Sequence, residues 1–176
     1  RPLLDELASV LRPLGRSFEV LCVDDASTDS SLRVLRELRA RFPELRILRH
    51  HVNSGESAAQ ASGFTCARAE LIVTMDADLQ NDPADIPLLL AKLDEGYDVV
   101  SGWRKDRQDP FVNRRLPSMI ANGMISWSTG VPLHDYGCTL KAYRREVLDG
   151  INLYGEMHRF VPALASQVGA KVTELP

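Results

Sequence analysis

Strand-like and helix-like segments alternate four times in the first two thirds of this chain, and that rhythm constrains the fold more than any other feature. Residues 18–23, 45–48, 71–75 and 97–101 are short, nearly continuous apolar runs, the pattern of strands buried on both faces. Between them lie segments with apolar residues at helical spacing, such as Leu32, Leu35 and Leu38 opposite a face of arginines. An Ala-rich helix is predicted over 56–68 and another over 84–95. A helix carrying Leu3, Leu4, Leu7, Val10 and Leu11 precedes the first run and ends at Pro13 and Gly15. Short connections between alternating elements imply an α/β fold, a doubly wound and mostly parallel sheet with helices on both faces. The rhythm changes after Gly102. A charged loop, a helix over 113–129, a strand over 137–143, a helix from His158 and a closing strand near Pro176 are predicted there.

With 176 residues, 44% of them apolar, residues 1–176 read as a single domain with one substantial core. Its first segment lacks an initiator Met and reads as a helix already under way, so the domain is expected to be truncated at both ends. A net charge of -3 and a pI near 5.8 argue against a nucleic-acid partner. Cys22, Cys66 and Cys138 are odd in number and sit in apolar contexts, as reduced core thiols in a cytoplasmic protein would. No apolar run approaches the ~20 residues that cross a bilayer.

Open α/β sheets bind ligands outside the carboxyl ends of their strands, and the acids lie there. Asp24 and Asp25 follow the first run, Asp76 and Asp78 the third, so the two groups are expected to line one crevice. In Asp76-Ala77-Asp78-Leu79-Gln80, two carboxylates one residue apart repel each other unless a cation intervenes. Mg²⁺ or Mn²⁺ accepts carboxylate, amide and phosphate oxygen, and Gln80 is placed to supply an amide oxygen. A solvated turn before the Asp82-Pro83 helix start is the plainer alternative.

Val23-Asp24-Asp25-Ala26-Ser27, Asn53-Ser54-Gly55, Asp76-Ala77-Asp78-Leu79-Gln80 and Asp135-Tyr136-Gly137-Cys138 occur in the order found in family 2 glycosyltransferases. Over nearly its whole length the chain resembles that family, and within it the dolichyl- and undecaprenyl-phosphate sugar transferases. The resemblance implies a GT-A fold and transfer of a sugar, with inversion, from a UDP- or GDP-linked donor to a polyprenyl phosphate at the cytosolic face of a membrane. It implies nucleotide contacts by Asp24, Asp25, Gly55 and Asp76. Asp76, Asp78 and Gln80 become ligands of Mg²⁺ or Mn²⁺ at the donor diphosphate. Arg104 and Arg115 become phosphate and acceptor ligands, and Asp135 the catalytic carboxylate. Transfer to a sugar hydroxyl in polysaccharide or lipopolysaccharide synthesis, or a non-catalytic nucleotide-sensing module, are the alternative functions.

Each assignment has a local rival. Ser27, Thr28 and Asp29 are good helix caps, Gly55 can serve packing, and Arg104 and Arg115 lie in a stretch rich in cations. Asp135 can be a turn acid. Small residues such as Ala59 and Gly63 fit helix packing, and His50, His51 and His158 lack metal spacing and read as surface or packing residues.

Overall fold

The computed structural model describes residues 2–105, 123, 125, 126 and 129–176. Arg115 and most of the helix predicted over 113–129 lie outside the described residues. Helix α1 (Pro2–Leu11) runs into a short 3-10 turn that Gly15 closes in the left-handed conformation at φ 67°. There follow β1 (Val20–Asp24), α2 (Ser31–Leu38), β2 (Leu45–Arg49), α3 (Glu56–Cys66) and β3 (Leu71–Thr74). A 3-10 turn at Pro83–Asp85 leads into α4 (Ile86–Asp94) and β4 (Val99–Gly102). The chain then forms β5 (Lys141–Arg144), α5 (Arg145–Leu148), a 3-10 turn at Met157–Phe160, α6 (Val161–Gln167) and β6 (Val172–Leu175).

The alternation read from the sequence is present, with boundaries moved by a residue or two for most elements. The strand predicted over 137–143 begins only at Lys141, because residues 137–140 are taken up in contacts with the β3 and β4 exits described below. Strands β1 and β2 form a parallel pair, and a four-stranded sheet has the order β3-β5-β4-β6. Within it β4 and β6 are parallel, while β5 runs antiparallel to both β3 and β4. The late strand is therefore inserted between two early ones, and periodicity alone carries no sign of that.

Side-chain alternation along the strands divides the core. Val100 and Ala142 pack with Leu4, Leu7, Ile86, Leu89 and Leu93 of α1 and α4. On the other face, Val99 and Tyr143 pack with Ile72, Val147, Val161 and Ala165. Helices thus cover both faces. Burial pushes the thiols of Cys22 and Cys138 up, which suits reduced core cysteines, and all three cysteines are free. Among the described residues no helix is long and apolar enough to cross a membrane.

Candidate active site

Three strand ends converge on one cleft. Lys141 on β5 stands opposite Thr74 on β3 and opposite Ser101 on β4. Two residues beyond Thr74 comes Asp76, and three beyond Ser101 comes Arg104. A cleft of about 260 Å³ opens there, lined by Asp76, Arg104, Lys141, Thr139, Tyr136 and Gly137, with Glu56, Gln60, His158 and Arg159 across from them.

The acidic turn after β3 is tied to the segment entering β5. The Asp76 N–H donates to Thr139 Oγ1 at 3.3 Å, Asn81 Nδ2 donates to the same oxygen at 3.1 Å, and Thr74 Oγ1 donates to the Thr139 carbonyl at 2.8 Å. Leu79 is held at φ 65°, left-handed for a branched residue and so strained. Asp76, Asp78 and Gln80 are exposed, and the Gln80 N–H donates to Asp78 Oδ1 at 3.0 Å. Two carboxylates and an amide suit a hard divalent cation that completes its shell with water and phosphate oxygens. No cluster of three His, Cys, Asp or Glu suited to a metal occurs among the described residues. Asp82 caps the following turn, accepting from the Ala84 N–H at 2.9 Å.

At the end of β4, Gly102 allows a close approach to the segment entering β5. A Cβ there would lie 2.9 Å from the Leu140 carbonyl oxygen and 3.0 Å from Cys138 Sγ. That contact sets the next two residues against residues 134 and 135. Trp103 stacks on His134 with centroids 4.3 Å apart. Arg104 grips Asp135 with both prongs, Nε to Oδ2 at 2.8 Å and Nη2 to Oδ1 at 3.2 Å. Asp135 is buried, and its Oδ1 also accepts from the Gly137 N–H at 3.1 Å. His134 is fixed in turn by Glu174, which accepts from its backbone N–H at 2.8 Å and contacts its ring.

Asp24, Asp25 and Gly55 do not line this cleft. The Asp25 carboxylate accepts from the Ser54 N–H at 3.0 and 3.1 Å and the Gly55 N–H at 2.8 Å, and meets His50 Nδ1 at 2.6 Å. Those donors, Ser54 first and His50 next, hold its carboxyl below the usual carboxylate range. His50 reaches on to Ser62 Oγ at 2.8 Å, tying the β1 and β2 exits to α3. Gly55 adopts φ 85°, a conformation that favours glycine, at the entry to α3. Asp24 is buried, and its Oδ2 has no hydrogen-bond donor among the described residues, with Arg49 Nε 3.8 Å away. Asp29 accepts from the Ser31 N–H at 2.8 Å, in the turn that leads into α2, whose N-cap is Ser30.

Two of the cleft's residues, Lys141 and His158, were given no functional role from the sequence. Ser57 and His158 are buried partners, Oγ to Nδ1 at 3.0 Å, and His158 Nε2 lies 3.2 Å from a Glu56 carboxylate oxygen. Nothing in their spacing, 101 residues apart, signals that meeting. Lys141 had a readable signal: a lone lysine between Leu140 and Ala142 in an apolar strand, where lysine is rarely buried without a purpose.

Comparison with known proteins bears on the family and the fold. The pattern of the family described as Glycosyl transferase family 2 matches residues 2–151. The chain is 44% identical over 169 residues to dodecaprenyl-phosphate galacturonate synthase of Rhizobium johnstonii, covering 95% of this chain and 50% of that protein. It is 42% identical over 164 residues to undecaprenyl-phosphate 4-deoxy-4-formamido-L-arabinose transferase of Klebsiella pneumoniae, covering 93% and 50%. The chain therefore spans about half the length of the curated relatives it matches. Among solved structures, glucosyl-3-phosphoglycerate synthase of Mycobacterium tuberculosis in complex with Mn²⁺, UDP and phosphoglyceric acid superposes with a TM-score of 0.72. It is 17% identical, and the match covers 98% of this chain and 61% of that one. A mannosyltransferase of Pyrobaculum calidifontis in complex with GDP-mannose and Mn²⁺ superposes with a TM-score of 0.66 at 19% identity, covering 99% and 51%. These likenesses show a shared GT-A fold.

Proposed function

Because the chain belongs to glycosyl transferase family 2, we propose that it moves a sugar from a nucleoside-diphosphate donor, UDP- or GDP-linked, to the phosphate of a polyprenyl lipid, inverting the anomeric carbon. The observation that carries this reading is the division of charge across one cleft. An oxygen-rich acidic turn leaves β3 at Asp76, and cationic Arg104 and Lys141 stand at the ends of the neighbouring strands. The relatives named for polyprenyl-phosphate substrates support the choice of acceptor.

Asp76, Asp78 and Gln80 would hold Mg²⁺ or Mn²⁺, which offsets negative charge on the departing diphosphate. The β1 exit and the 53–55 loop, locked by Asp25, face the nucleotide side, with Gly55 letting backbone approach the ligand. On this reading Asp25 acts on the nucleotide through the loop it organises. Asp24, Asp25, Gly55 and Asp76 together form the donor side, and Arg104 and Arg115 belong to the acceptor side.

Asp135 fits an orienting role better than that of a proton acceptor, because Arg104 already occupies both of its oxygens. A lipid phosphate needs no base: its second pKa is about 6, so near neutral pH it is largely dianionic and nucleophilic. A sugar hydroxyl would need its proton removed. A lipid acceptor and a water-soluble nucleotide donor would together put the reaction at the cytosolic face of a membrane. Incubating the full-length protein with nucleotide sugars and either undecaprenyl phosphate or undecaprenol tests the reading. Mass spectrometry is expected to find a glycosylated lipid phosphate and release of nucleoside diphosphate with the first acceptor alone. Glycosylation of undecaprenol or of added saccharides instead would overturn it.

A further inference from the structure

Among the described residues Lys141 forms no ion pair. The residue is 3% exposed, and its ammonium donates to two carbonyls, Tyr136 O at 3.3 Å and Cys138 O. No carboxylate lies within ion-pair distance of it among the described residues. An ammonium has three donors, and two carbonyls leave one. Burial draws its pKa down to about 8, so the group remains a cation at neutral pH at a cost in solvation. Buried charges are ordinarily paired, and this one borders a polar cleft large enough for a ligand.

Its place on β5 is central, opposite Thr74 and Ser101, between the strand that exits to Asp76 and the strand that exits to Arg104. Both carbonyl partners belong to the Tyr136–Cys138 turn, so the ammonium lies against the turn that follows Asp135. Arg104, the other cation on that wall, is spoken for by its two-pronged pair with Asp135. Inversion requires the acceptor to approach the anomeric carbon from the side opposite the departing diphosphate. Lys141 is a cation of the cleft with a donor to spare.

We infer that Lys141 is a direct ligand of the acceptor's phosphate monoester, taking one of its oxygens at the floor of the cleft. The inference rests on the polyprenyl-phosphate reading above. It divides the labour of two cations: Arg104 fixes the Asp135 turn, and that turn aims Lys141 at the phosphate.

The test uses the full-length protein and farnesyl phosphate, a soluble prenyl monophosphate, with farnesol as the uncharged control. Calorimetry is expected to show Lys141→Gln weakening farnesyl phosphate by about ten-fold or more, as loss of a charge-assisted hydrogen bond should. Affinity for nucleoside diphosphate with Mn²⁺ is expected to stay within about two-fold, and Lys141→Arg, which keeps the charge, is expected to recover part of the loss. A second measurement needs no variant: with ¹³C at lysine Cε, farnesyl phosphate should shift the resonance of the buried lysine and farnesol should not. Unchanged farnesyl phosphate binding in Lys141→Gln, equal losses for both ligands, or an unmoved buried-lysine resonance each overturn the inference. A wild type that binds nucleoside diphosphate but not farnesyl phosphate overturns the acceptor reading itself.

Discussion

Removing Arg104 should destabilise the protein far more than loss of a surface arginine, because it takes a two-pronged partner from a buried carboxylate. The Asp135 side chain is 3% exposed and that of Arg104 26%, and the two are joined by bonds of 2.8 and 3.2 Å. Breaking a buried pair from one side costs about 3–5 kcal/mol. Partial exposure of Arg104, and the Gly137 N–H that stays on Asp135 Oδ1, reduce this to roughly 2–3 kcal/mol for Arg104→Met. For a chain of this size that corresponds to a fall in Tm of roughly 5–10 °C. Asp135→Asn should cost less, since an amide oxygen still accepts from Arg104. The double variant should lose less than the sum of the single ones, with a coupling energy of about 1–2 kcal/mol. Urea unfolding of the wild type, both single variants and the double variant measures this, provided the slopes agree. Losses under about 0.5 kcal/mol, or strict additivity, would refute the claim that the pair holds the turn.

The Asp25 lock predicts a pH dependence. A carboxyl held below its ordinary pKa binds fewer protons folded than unfolded, so its stabilisation is full above the ordinary carboxylate range and is lost as pH falls through and below it. Melting temperature against pH should show a shallower acid limb for Asp25→Asn, and an identical limb would contradict the lock. Gly102→Ala forces a Cβ to within 2.9 Å of the Leu140 carbonyl oxygen and should cost about 1–3 kcal/mol by thermal unfolding. Asp78→Asn should leave the melting temperature within about 1 °C in the absence of ligand, since the side chain is exposed. Calorimetry should find its affinity for nucleoside diphosphate with Mn²⁺ reduced about ten-fold or more, as expected on losing an anionic metal ligand. Equal affinity would remove Asp78 from the metal set.

The alternation of apolar runs with amphipathic segments was enough to predict an α/β fold, because buried strands and one-faced helices leave distinct periods in the sequence. The antiparallel insertion of β5 was not legible: strand direction depends on which ends meet, and Lys141–Arg144 reads the same in either sense. Asp76 and Arg104, which both line the cleft, could be placed at its mouth in advance because each sits just past a strand end, where open sheets bind ligands. Their expected company was partly different. The sequence put Asp24 and Asp25 in the same crevice, but the Asp25 carboxylate turns onto Ser54 and Gly55, and acids do not announce whether their partners are backbone amides or ligands. The Arg104–Asp135 and Ser57–His158 pairs join residues 31 and 101 positions apart. No local pattern encodes contacts of that range.

The most direct measurement follows the oxygen that joins sugar to lipid. Undecaprenyl phosphate carrying ¹⁸O at its terminal phosphate oxygens is turned over by the full-length protein with a nucleotide sugar ¹³C-labelled at the anomeric carbon. If an acceptor phosphate oxygen attacks that carbon, the anomeric ¹³C resonance of the product shows the isotope shift of a bonded ¹⁸O, its configuration is inverted, and unlabelled nucleoside diphosphate is released. An unlabelled bridging oxygen with release of nucleoside monophosphate would place the cleavage at phosphorus and contradict glycosyl transfer to a lipid phosphate.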